Sequence, residues 1–533
     1  MKTKYIYLPI VALFLAITSC VGDLDVRPLA ENVTSAEDAY ATADGYKQAL
    51  MKIYSVWAVG GQDGTDESDI EGVDVGNAQL LRSYFNLQVV STDECKNAWG
   101  NDAWVPEVNN MTWSTTKLEP VEGVYQFSMF IVSLVNEFMR NIPNAPSKIN
   151  QAQYAAEARF CRALAYSVLM DMFGRPPFIT EDNYSLDPSQ ISRTELFNWI
   201  ESELLDIVSD LPAARQGTYG RADQGAVYAL LARNYLNAEV YTGQARYTEC
   251  ITACKNVIAG GYGLATIYED LFKADNGQNP DTRQEIIFPV CFDGVATMTW
   301  GGMTSFICGS RGGSEVDLYR DGVSQGWDGY RSTNKLIEKF DFADPSNPTA
   351  DNILDARGIF YSEGRSMYIT TTPLGTFTTE GWAVYKYKNI TSTGELGSNA
   401  THPDTDFPLF RLADIYLMYA ESVARGGQGG DMATAVNYVN ALRTRAGIST
   451  ITESWLTTNN YQNILDERSR ELYWEVTRRT DLIRFGLYTS SSYTWPFKGG
   501  VATGVGVDSR NNLFPIPVTD LTANGSLTQN DGY

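Results

Sequence analysis

The sequence predicts a mostly α-helical protein on a helical-repeat scaffold, with an irregular, loop-rich region that carries short strands. Three observations predict it. Apolar residues recur at helical spacing in two blocks, about 36–262 and 406–486. Within those blocks, helical stretches follow one another across very short turns. Between them, roughly Gly263 to Thr405, the chain becomes rich in Gly, Thr, Asp and Asn and keeps only short β-like runs.

The elements follow in order. Ala36 to Trp57 is a first amphipathic helix. Val121 to Asn141 is a second, closed by Pro143, and Asn150 to Phe173 a third. The third has Phe160, Leu164 and Val168 on one face and stops at Gly174-Arg175-Pro176-Pro177. Thr194 to Asp210 is acidic early and ends before Pro212. Ala222 to Tyr241 and Tyr247 to Ile258 form a pair joined by Thr242-Gly243-Gln244. In the middle region, Glu285 to Phe288 and Trp382 to Tyr387 read as strands. Helices return at Leu409 to Ala424, Ala433 to Arg445 and Tyr461 to Phe485. From Leu513 the tail is extended, because Pro515 and Pro517 oppose helix. Small residues recur at Ala163, Ala165, Ala229, Ala232 and Ala420. Close stacking of tetratricopeptide-like helix pairs requires such residues.

The N-terminus sets the compartment. Lys2 and Lys4 precede an uncharged apolar run from Tyr5 to Ile17, the length of a signal-peptide core and too short to span a bilayer. It ends in Ile17-Thr18-Ser19-Cys20, which resembles a lipoprotein cleavage site. Residues 1–19 then form the signal, Cys20 carries the lipid, and 20–35 form a tether. Residues 36–533 form one large domain, whose loop-rich parts fall in about 60–120 and 263–405.

The net charge of −23 opposes nucleic acid and anionic lipid as partners. It suits a neutral ligand. With 11 Trp and 31 Tyr, the chain is rich in flat apolar faces bearing a polar edge, which suit sugar rings. The only histidine, His402, sits in a turn-like stretch and reads as structural or exposed, so histidine-based catalysis and zinc binding have no support. Cys250 and Cys254 share a helix face, where a disulfide, a metal pair or two buried thiols all fit; buried thiols are favoured because Cys packs as a small hydrophobe. Asp275, Asn279, Asp281 and Glu285 make an oxygen-rich loop where calcium could bind, although the spacing is not that of an EF-hand. Glu157, Arg159 and Arg162, like Glu467, Arg468 and Glu471, read as ion pairs between helices rather than as catalytic carboxylates.

Several segments carry a family resemblance. They are Ala156 to Tyr166 followed by Met172 to Phe178; Gly220-Arg221-Ala222-Asp223; Asp406 to Asp414; Glu467 to Leu472 with Arg478 to Gly486; and Phe514 to Pro517 with the terminal Gln529 to Tyr533. In this order they resemble the SusD/RagB family of outer-membrane glycan-binding lipoproteins, over essentially the whole chain. The resemblance implies a tetratricopeptide-like fold, a non-enzymatic role, an outward-facing lipid anchor on Cys20 and a SusC-like TonB-dependent transporter as partner. Arg82 to Asn86, Ser91 to Trp99, Tyr235 to Gln244, Gly301-Gly302 and Gly326-Trp327 are similar to the family's starch-binding member. That similarity implies an aromatic arc at Trp99, Trp300 and Trp327, with polar contacts from Arg82 and from Asn101 or Asp102. The ligand would be an α-glucan such as starch or a maltooligosaccharide. Three alternatives stand: another polysaccharide on the same scaffold, a scaffold that binds only protein, or a glycoside hydrolase. The last needs two carboxyl groups about 5 Å or about 6.5–9.5 Å apart, and no motif announces such a pair.

Overall fold

The computed structural model describes residues 39–62, 64–115, 117–371 and 379–533. The proposed signal, Cys20 and the tether lie outside these residues. The principal helices are α1 (Ala43–Ser55), α2 (Leu80–Phe85), α3 (Glu119–Asn141), α4 (Gln151–Phe173), α5 (Arg193–Ile207), α6 (Gln224–Leu236), α7 (Tyr247–Ala259), α8 (Gly302–Ser310), α9 (Leu412–Ala424), α10 (Met432–Arg445), α11 (Gln462–Leu472) and α12 (Arg478–Arg484). In succession α3 packs on α4 and α4 on α5; α6 packs on α7, α7 on α9 and α9 on α10. This is the expected helical-repeat scaffold. The irregular segment between α7 and α9 is inserted without separating them.

Local chemistry fixes the ends. Ser192 and Glu195 form a reciprocal capping box at α5. Asn150, Asp223 and Asp431 each accept a backbone N–H at the start of α4, α6 and α10. Gly174 ends α4 at φ 74°, a conformation that costs glycine little.

Strands are few and short. β1 (Cys95–Asn97) pairs antiparallel with β3 (Tyr330–Ser332), setting Asn97 opposite Tyr330. β2 (Ile286–Val290) pairs with β6 (Phe407–Arg411), and β4 (Phe360–Tyr361) with β5 (Ala383–Val384). Among the described residues no helix is long and apolar enough to cross a membrane.

The structure differs from the sequence reading at several boundaries. Leu409 belongs to β6, and the helix after it starts at Leu412. The run Ala222 to Tyr241 breaks at Asn237. The tail holds a short helix, Val518–Ala523, because Pro517 occupies the cap position, where proline costs no hydrogen bond. The expected single helix Tyr461 to Phe485 is broken between α11 and α12, where Trp474 and Val476 take φ of 62° and 54°. The break turns the Glu475 carboxylate onto Arg411 Nε at 2.6 Å and Lys386 Nζ at 2.6 Å.

A buried ion lattice surrounds that break. Arg411 also binds Glu285 at 2.9 Å and Glu471 at 2.6 Å, and Arg357 binds Asp355, Glu467 and Glu471. Arg445 joins Glu285 to Glu471. A second set ties α4 to its neighbours: Glu157 to Arg221 at 2.7 Å, and Glu203 to both Arg159 and Arg162 at 2.7 Å. Arg468 bridges Asp414 and Asp481. The charged residues on these helices are therefore structural, as the sequence indicated.

Two outcomes follow. Removing one partner of a buried pair strands the other charge, so Arg411→Met should lower unfolding free energy by about 3–5 kcal/mol in urea titrations. Burial alone would raise the Glu467 carboxyl, but Arg357, Arg470 and Arg443 bring it down from 4.5 to about 2. A carboxyl lowered on folding stabilises fully above its unfolded value and loses that contribution as pH falls. The urea midpoint should thus fall between about pH 5 and pH 2, and more shallowly in Glu467→Gln.

Candidate functional site

Backbone pairing brings three loops together. Ala98 N–H donates to the Gly329 carbonyl at 2.9 Å, which extends the β1–β3 pairing toward Trp99. The β3 loop is zipped to the C-terminal end of α8: Trp327 N–H donates to Cys308 O at 2.8 Å and Gly329 N–H to Gly309 O at 2.8 Å. Trp300 stands just before Gly301, the N-cap of α8. One short helix thus sets the separation of two of the tryptophan loops, and one strand pair sets that of the third.

The indoles form a continuous array. Trp99 and Trp327 have ring centroids 6.5 Å apart, tilted by 50°, and Trp327 and Trp300 6.1 Å apart, tilted by 56°. All three are half-buried. Their edge N–H groups are engaged within the protein. Trp99 Nε1 donates to Trp327 O at 2.8 Å, Trp300 Nε1 to Asp66 Oδ1 at 2.8 Å and Trp327 Nε1 to Gln325 Oε1 at 3.3 Å. What the indoles have left to offer is their ring faces, which are tilted to one another rather than coplanar.

Arg82 on α2 lies within this array. Its guanidinium is 5.4 Å from the Trp99 ring centroid, and Nη1 donates to Trp300 O at 3.1 Å. It is buried, so one of its roles is to join the two outer loops. Asn101 and Asp102 are exposed on the turn after Trp99, and Asp102 N–H donates to Trp99 O at 3.1 Å. Burial raises the Asp102 carboxyl, with Arg82 opposing. The sequence reading missed Asp66, Gln325 and the packing of His402 beneath Trp300. No local signal marks the first two, since both lie in polar loops. His402 is buried rather than exposed, leaving its structural reading. Trp104 and Trp113 are core residues.

The calcium candidates do not converge. Asp275 accepts from Ser392 N–H and Oγ; Asn279 caps a short helix; Asp281 accepts from Thr266 and Gln284; Glu285 is bound by Arg411 and Arg445. Among the described residues no group of three or more His, Cys, Asp or Glu could hold a metal ion. Cys250 and Cys254 are free and buried.

The fold and this surface define a helical-repeat protein whose inserted loops carry a cluster of three indoles. Two family models match: the SusD family over residues 284–533, and a family described as starch-binding and associating with the outer membrane over 75–236. The chain is 36% identical to the starch-binding protein SusD of Bacteroides thetaiotaomicron, over 100% of both chains. It is 23% identical to a SusD-like protein of Bacteroides ovatus, over 80% of this chain and 77% of that one. The protein belongs to the SusD family. Among solved structures, a SusD-like protein of Bacteroides fragilis superposes with TM-score 0.70 at 21% identity, covering 95% of this chain and 100% of that one. Surface glycan-binding protein A of B. thetaiotaomicron, solved with laminarihexaose, gives 0.67 at 19% identity, covering 92% and 99%. These two likenesses concern the fold.

Close approach makes one position testable. A Cβ on Gly329 would stand 2.3 Å from Trp99 Cζ2. Gly329→Ala should displace the indole, change the near-ultraviolet circular dichroism and cost about 1–3 kcal/mol of stability.

Proposed function

We propose that this protein is a cell-surface α-glucan-binding protein that captures starch or maltooligosaccharide and passes it to a SusC-like TonB-dependent transporter. The observation that carries the reading is the tilted three-indole array, whose edges are occupied and whose faces are left for ligand. An α-glucan chain curves and presents apolar C–H faces. Covering each face removes apolar area from water at about 25 cal/mol per Å², partly offset by the cost of immobilising the chain. Arg82, which packs against Trp99, and Asn101 and Asp102, exposed on the turn after it, are suited to bridging vicinal hydroxyls. Identity of 36% along the full length to a starch-binding protein supports this ligand.

The same reading makes the protein a binder without catalysis, held at the outer membrane by lipid on Cys20. Cys20→Ala should abolish metabolic labelling by fatty acid and release the protein from the membrane fraction.

Affinity electrophoresis of the body after Cys20 tests the ligand. Gels holding amylopectin, dextran, xylan or laminarin are compared. Retardation by amylopectin is expected, lost by at least tenfold in affinity in Trp99→Ala/Trp327→Ala, with no release of reducing sugar. Retardation by laminarin alone would overturn the starch reading, and sugar release would revive a hydrolase.

A further inference from the structure

Trp300 differs from the other two indoles in what lies behind it. The His402 imidazole packs against it, with ring centroids 5.1 Å apart and a tilt of 54°. His402 is the only histidine in the chain and is buried. Its Nδ1 lies 3.2 Å from the Thr299 carbonyl oxygen and 3.5 Å from Thr304 Oγ1. A carbonyl can only accept, so Nδ1 carries the proton and the neutral tautomer is fixed. Burial lowers the imidazole pKa, which keeps the ring neutral beneath the indole.

The segment around His402 also docks the whole loop that ends in Trp300. Asn399 Oδ1 accepts from Thr401 and His402 N–H, at 2.8 and 3.2 Å, and Asn399 Nδ2 donates to Gly294 O at 3.0 Å. Asp404 accepts from Gly294 N–H at 2.7 Å. A Cβ on Gly294 would stand 2.4 Å from the His402 carbonyl oxygen, so the two segments pack without a gap. Loop backbone is thus held at Gly294 and Thr299, and the indole is held at its edge by Asp66 and on its inner side by His402.

We propose that His402 is a positioning residue for glycan recognition: its ring braces Trp300 and its Nδ1–H fixes the preceding backbone, so that it sets the angle at which Trp300 meets the sugar. This rests on the reading of Trp300 as a sugar platform. The residue acts through Trp300 and need not touch ligand.

Three substitutions separate the two contributions. His402→Gln keeps an N–H donor without a flat ring, His402→Phe keeps the ring without the donor, and His402→Ala removes both. Each is made in the native background and in Trp300→Ala, with maltoheptaose titrated calorimetrically and melting temperature recorded to verify folding. His402→Ala should weaken binding about three- to tenfold, the scale of one lost aromatic contact. The Gln and Phe variants should each recover part of that loss. In the Trp300→Ala background the His402 substitutions should add less than about 1.5-fold, because residues acting as one unit are not additive. In the unmodified protein, the single imidazole Hε1 resonance should shift when maltoheptaose binds.

Native-like binding by folded His402→Ala, alongside weakened binding by Trp300→Ala, would overturn the proposal. Equal losses in both backgrounds would also overturn it, since His402 would then act elsewhere. Native-like binding by Trp300→Ala would remove the platform reading and the brace with it.

Discussion

The structure turns on Arg411. It is the last residue of β6 and the cap residue of α9, so it stands where the loop-rich insertion rejoins the helical scaffold. Its guanidinium gathers Glu285 from the start of β2, Glu471 from α11 and Glu475 from the break after α11. Each carboxylate is buried and would be costly without this partner. The lattice therefore acts less as surplus stability than as a demand for one arrangement, since any other packing leaves charge unpaired.

The indole array is linked to that arrangement through residues just before β1. Asp93 binds Arg478 at 2.6 Å, at the start of α12. Burial pushes the Glu94 carboxyl up to about 7. It accepts from Ser469 Oγ at 3.0 Å and Trp474 N–H at 3.1 Å. Lys96 donates to the Asn109 carbonyl at 2.8 Å, and the Asn109 side-chain amide accepts from Asn97 N–H at 2.9 Å and donates to the Asn97 carbonyl at 2.6 Å. Trp99 is thus carried on a strand clamped from behind to the α11–α12 break. A loop-borne platform obtains the rigidity of the scaffold by this route.

Much of this was legible in the sequence. Helical periodicity located α3, α4, α5, α7 and α10 because each has an apolar stripe and a capping or breaking residue. The α11–α12 break was not legible, because Trp474 and Val476 give no turn signal; tertiary demand for Glu475 at Arg411 imposes the positive φ. α8 was hidden in a Gly-rich run, where composition suggests a loop but burial selects helix. The three tryptophans could be nominated from adjacent glycines and from family resemblance. Their mutual tilt, and the roles of Asp66, Gln325 and His402, depend on residues more than sixty positions away in most cases. Local pattern carries no information about those.

The satisfied indole edges have a consequence for traffic. A platform that donates no hydrogen bonds from its rings imposes little registry on what lies across it. A chain can advance by one unit and find similar contact, with few directional bonds to break at each step. In the proposed role, ring faces would then act as a low-friction track, retaining a long polymer in aggregate while any one segment slides onward.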